Sequence, residues 1–226
     1  MSNSWISFAS LIALVVMVTG CATNVESVRR AVVNRFSEPE APIVRVITSP
    51  VAGCPGLYVS LYDWITEWWG SFACFEFKDG AIQWTAICSQ PPREQRILAV
   101  RGFQLRGFSS PVVEVLGQTH MGNGDLYLYL LEDKQLRLVL ETRAVDRCNQ
   151  EDWVFRGGML TISYPDFNKD GVAEVMLEGV RDRLAENEFI GSTPIESHPC
   201  RRVFVWHPAF GVFVEDVLRR RGLDPE

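Results

Sequence analysis

From Ile43 onward the apolar residues come in short runs of roughly four to eight residues, each closed by Pro, Gly, Asn or Asp. Helical spacing is almost absent there, so the chain is predicted to be all-β. Strands are expected over 43–47, 57–61, 72–77, 81–87, 97–105, 112–116, 126–131, 136–142, 159–164, 172–178, 202–206 and 212–217. Lys78-Asp79-Gly80 is a strong hairpin signal, and Glu132-Asp133-Lys134-Gln135 is a second polar turn. A two-residue hairpin centred on Asp79-Gly80 sets Phe77 opposite Ile82, Phe75 opposite Trp84 and Cys74 opposite Thr85. That register places Cys74 and Cys88 on opposite faces. Residues 181–199 read as a long polar excursion.

One stretch between strands, YPDFNKDGVAEVMLEG, carries chemistry of its own. Asp166, Asn168, Asp170 and Glu174 alternate along it, and Gly171 follows the third. Their oxygens are hard ligands, and a glycine lets the loop turn so that they converge, which is the chemistry of a calcium site. The helix–loop–helix version needs a bidentate glutamate at its twelfth place, where this chain has Leu177. The acid stands at the ninth place, Glu174, and the flanks alternate as strands do. A short structural calcium loop over 166–174 is expected. The residues alone also allow a solvated turn without metal, since turns favour Asp, Asn and Gly for steric reasons.

A faint repeat surrounds this loop. VEVLG (113–117) matches AEVMLEG (173–179), and DLYLYLLEDKQLRLVLE matches CRRVFVWHPAFGVFVED, with SFACFEFKDGAIQWTAI as a poorer third copy. The middle copy has GFSSP where the last has DFNKDG, so one copy keeps the carboxylates. DFNKDGVAEV followed by a VFVW-type hairpin resembles the FG-GAP/VCBS repeat family, most closely over residues 160–179. The resemblance implies propeller-blade-like antiparallel sheets and calcium held in the loop between two strands. Carried over by position, Asp166, Asn168, Asp170 and Glu174 supply side-chain oxygens and Val172 a backbone carbonyl. The chain has room for about three or four such units, which predicts an incomplete or small propeller.

The N-terminus has a different character. Trp5 to Thr19 is an almost unbroken apolar run, short of the roughly 20 residues that cross a bilayer but suited to a secretion signal. Val18-Thr19-Gly20-Cys21 resembles the lipobox of bacterial lipoproteins. That resemblance implies removal of residues 1–20, acylation of Cys21, a lipid bilayer as partner and a place in the bacterial cell envelope. Ala22, by resemblance to enterobacterial lipoproteins, fits sorting to the outer membrane. The alternative is an uncleaved membrane helix with an incidental cysteine. Residues 21–42 are expected to be a lipidated tether or short helix, since Val25, Val28, Val32 and Phe36 share a helical face and SEPEAP has linker composition. The β domain is then 43–226.

A net charge of −6 and a pI near 5.2 exclude nucleic acid and disfavour an anionic membrane surface as partners. Beyond Cys21 stand Cys54, Cys74, Cys88, Cys148 and Cys200, an odd set that allows at most two disulfides. Cys54 is the expected partner of Cys74 or Cys88. Trp64, Trp68 and Trp69, beside Asp63 and Glu67, form either core or an exposed platform for a glycan or protein. No GxSxG, HExxH or P-loop occurs. The expectation is a non-catalytic, calcium-stabilised scaffold that binds an envelope protein or glycan. The alternatives are a glycan hydrolase using carboxylates near the tryptophans, and a purely structural lipoprotein without metal.

Overall fold

The computed structural model describes residues 25–64, 70–88, 90–92, 95–147, 153–185 and 192–217. Residues 25–36 form a helix, α1. A first sheet contains β1 (Ile43–Pro50), β2 (Leu57–Trp64), β3 (Ser71–Lys78), β4 (Ala81–Cys88), β5 (Arg96–Phe103), β6 (Val112–Gln118), β7 (Asn123–Glu132) and β8 (Gln135–Asp146). A second contains β9 (Trp153–Phe155), β10 (Thr161–Ser163), β11 (Val175–Arg183), β12 (Glu196–His207) and β13 (Val212–Glu215). The fold is all-β, with a nearly closed, barrel-like first sheet and a half-barrel second sheet, and it fits propeller-like blades.

Three antiparallel meanders of four strands build these sheets: β1–β4, β5–β8 and β10–β13. The first two join through a short parallel contact, Ile87 with Gln135 and Cys88 with Leu136. The repeat in the sequence follows these units: VEVLG and AEVMLEG fall at the second strand, and the matched hairpins at the third and fourth. Turn chemistry sets the hairpins. Asp79 and Gly80 have φ of 51° and 79°, and Asp133 and Lys134 have 49° and 60°. Positive φ at both central residues matches the right-handed twist of the flanking strands.

The units stack face to face, and burial on both faces explains the near-continuous apolar runs of the inner strands. On one face of β2, Tyr58 and Tyr62 pack with Phe75 and Phe77 under Val28 and Val32 of α1. On the other, Val59 and Leu61 meet Val113, Val115, Tyr127 and Tyr129 of the second unit. The far side of that unit, through Val112, Leu126, Leu128 and Leu140, packs on Val175, Leu177, Phe204 and Phe213 of the third. The layer order is therefore helix, first unit, second unit, third unit.

Two expectations need correction and a third is extended. Residues 21–42 are expected to be a lipidated tether or short helix ahead of a β domain at 43–226, and residues 25–36 form the helix. Yet Val28 and Val32 of α1 are fully buried, and the Trp64 indole donates to the Phe36 carbonyl at 3.3 Å. Burial of a helical face against two aromatic strands outweighs the linker-like composition that follows it.

The β3–β4 register is also different. Phe77 does oppose Ile82, but Glu76 opposes Trp84, Phe75 opposes Thr85 and Cys74 opposes Ala86. Gln83 is the extra residue of a β-bulge, its amide donating to the carbonyls of Lys78 at 2.9 Å and Ala81 at 3.3 Å. Cys74 and Cys88 consequently share one face and one core cluster. Cys54, Cys74 and Cys88 are free thiols, and burial pushes Cys74 up to about 12. Cys148 lies outside the described residues.

The polar excursion at 181–199 is strand at both of its ends. β11 runs to Arg183 and β12 begins at Glu196, with β9 along the other edge of β11. Arg156 grips Asp182 with two bonds of 2.8 Å, and Ser197 donates to the same carboxylate at 2.7 Å. Side chains paired across strands help to hold this ladder.

Candidate functional site

The candidate calcium loop, residues 164–174, connects β10 to β11, whose strands pair from Thr161 with Glu178 to Ser163 with Met176. It stands beside the equivalent connections of the other two units. The Ala52 amide donates to Gly102 at 2.9 Å, Gln104 returns a bond to Ala52 at 3.0 Å, and Ala173 donates to Arg106 at 3.1 Å. These bonds chain the three loops along one rim. Gly107 has φ of +85°, and a Cβ there would lie 2.6 Å from the Val172 Cα. Only glycine lets the second and third loops approach this closely.

Within the loop, side-chain oxygens organise the backbone. The Asp170 amide donates to Asn168 Oδ1 at 3.0 Å, and Val172 donates to Asp170 Oδ1 at 2.7 Å. Asn168 Nδ2 donates to Asp170 Oδ2 at 2.8 Å. Glu174 is 2% exposed, accepts from the Phe167 amide at 2.8 Å, and donates its own amide to Pro165 at 2.7 Å. Lys169 and Gly171 take left-handed conformations with φ of 60° and 91°, which folds the loop back on itself.

Asp166 is set apart. Its side chain is 7% exposed, and Oδ2 lies 3.3 Å from the Arg106 guanidinium of the neighbouring loop. Oδ1 is buried without any hydrogen-bond partner. A lone buried carboxylate oxygen is costly unless something positive completes it. Among the described residues, no three His, Cys, Asp or Glu side chains converge closely enough to hold a metal ion. The donor chemistry and the orphaned Asp166 oxygen nevertheless fit a hard cation. A cavity of about 350 Å³ opens beside the loop, lined by Gly107, Asn168, Asp170, Val172, Trp206 and Pro208 among others.

Next to the loop lies a pairing that the sequence did not announce. Arg101 on β5 forks onto Glu114 on β6 through two bonds of 2.7 Å. Tyr164, the first residue of the loop, donates to the same carboxylate. Burial, with the Glu114 carboxylate beside it, pushes the Tyr164 hydroxyl well above its usual range. The second unit is thereby bonded to the root of the loop. The signal that was legible is the alignment of VEVLG with AEVMLEG, which pairs Glu114 with Glu174.

Of the tryptophans expected as core or platform, Trp64 is part-buried, meets Tyr62 edge-on at 5.1 Å and packs against the cluster beneath α1. Its neighbour Asp63 is paired with Arg45 at 2.6 Å. Trp68 and Trp69 lie outside the described residues, as does Cys21. Among the described residues no helix is long and apolar enough to cross a membrane. Comparison with family models, with curated proteins and with solved structures returned no match, so no family is assigned to the chain.

Proposed function

We propose that this protein is a non-catalytic β scaffold, stabilised by calcium at residues 166–174 and tethered to an envelope membrane through an acylated Cys21. Its loops and sheet edges serve a protein or glycan partner. The observation that carries the calcium reading is the buried, partnerless Oδ1 of Asp166 at the junction of two units. Asp166, Asn168, Asp170 and Glu174 would hold the ion, with the Val172 carbonyl. The bound ion supplies positive charge that completes these oxygens and locks the loop.

The residues have a positional role. Arg106 carries the second loop to Asp166, and the Ala173–Arg106 backbone bond holds the two loops in line. Metal bound only by the folded chain stabilises it, by about 2.7 kcal/mol at a hundredfold excess over the dissociation constant. Melting of wild type and Asp170→Ala in calcium and in chelator tests this. The variant should melt lower in calcium and level with wild type in chelator. Identical curves in both media would remove calcium from the function, leaving a metal-free structural protein.

A further inference from the structure

We propose that the groove between α1 and the β3–β4 hairpin is the membrane-facing side of the domain, and that it seats the phosphate headgroups of anionic lipids. The groove has a volume of about 490 Å³ and is lined by Ser27, Arg30, Asn34, Arg35, Gly80 and Ile82 among others. Positions 27, 30, 34 and 35 form one face of the helix, while Val28 and Val32 turn inward to the core. Most arginines of the described residues are spoken for by carboxylates, Arg29 with Glu26 at 3.4 Å and Arg45 with Asp63 at 2.6 Å being two examples. Arg30 and Arg35 make no ion pair or hydrogen bond among the described residues, and both face the same groove.

Position selects the occupant. The proposal rests on the anchoring of Cys21. Four residues of chain from Cys21 to α1 span at most about 14 Å. A helix so tethered stays within side-chain reach of the headgroup layer, and an anionic surface acts over about 8–10 Å. The charge of the whole chain, −6, is therefore less relevant than the local balance. Over residues 25–36 that balance is three arginines against one glutamate. Guanidinium groups suit phosphate through forked hydrogen bonds.

The test uses the full chain in nanodiscs of phosphatidylcholine, with or without about one third phosphatidylglycerol. Lipid that binds the folded domain stabilises it, so the unfolding midpoint should rise by about 4 °C in anionic discs. The rise should vanish in Arg30→Glu/Arg35→Glu, and in the milder Arg30→Gln/Arg35→Gln if the first variant melts abnormally in neutral discs. A rise that survives these substitutions, or no rise in wild type, overturns the docking face. The same rise from millimolar glycerophosphate in neutral discs would make the groove a small-ligand site and overturn the membrane assignment. The intact mass of each preparation reports acylation of Cys21 separately. A failed anchor and a failed docking face thus give different results.

Discussion

Glu114 and Glu174 occupy matching places in the second and third units, and their surroundings have diverged. In both units the following valine, Val115 or Val175, points into the cluster shared with the preceding unit. Glu114 is 7% exposed and is neutralised within the protein, by the Arg101 fork and the Tyr164 hydroxyl. Glu174 is 2% exposed and turns to its own loop, where it accepts from the Phe167 amide. One unit completes its buried carboxylate with an arginine, and its GFSSP loop carries no acids. The other keeps its acids and leaves the Asp166 Oδ1 without a partner. A buried acid needs a positive counterpart, and a repeat can supply it from its own sheet or take it from solution.

This contrast predicts different responses to substitution. The largest effect is expected from Glu114→Ala, which strands the Tyr164 hydroxyl and removes a forked, charge-assisted pair. We expect a loss of about 3 kcal/mol, discounted for the half-exposed Arg101, and the same loss in calcium and in chelator. Urea denaturation in both media measures it, and a loss that calcium repairs would erase the distinction between the two glutamates. Gly107→Ala comes next, at about 2 kcal/mol, because the added carbon meets Val172 at a left-handed position. It should also weaken calcium binding by calorimetry, since the loops can no longer align. Unchanged binding would show that the rim contact does not support the site.

Tyr164→Phe is the smallest, about 1 kcal/mol at neutral pH, since Arg101 still holds Glu114. Its sharper signature is alkaline. The Tyr164 value is raised in the folded state, so the unfolded chain loses its proton first, near pH 10. The stabilisation is complete below that pH and declines above it, at about 1.4 kcal/mol per pH unit for each such tyrosine. Burial also raises Tyr62, to about 12, so wild type should lose stability steeply above pH 10. Tyr164→Phe should give a shallower decline in a pH series of melting temperatures. Equal slopes would mean that Tyr164 titrates as it does in the unfolded chain.

Much of the architecture was legible because it is encoded locally. Turn residues such as Asp79-Gly80 carry their own backbone preference, and alternation over a few residues marks a strand wherever it ends up packing. The loop at 166–174 was legible for the same reason, as Asn168 and Asp170 each accept from the amide two residues on. β9 was not, being three residues long and too short to show a period. The far ends of β11 and β12 hid because polar side chains satisfied across strands look like loop residues in sequence.

The sequence by itself determined an all-β chain of repeated hairpins with one acid-bearing loop between two strands, since those choices depend on neighbours in the chain. Tertiary structure alone decided that α1 is core, that Gln83 bulges and shifts the cysteines to one face, and that Glu114 is answered by Arg101 and Tyr164. Each of these depends on residues far apart in sequence meeting in space, and pairing energy of that kind leaves no periodic trace along the chain.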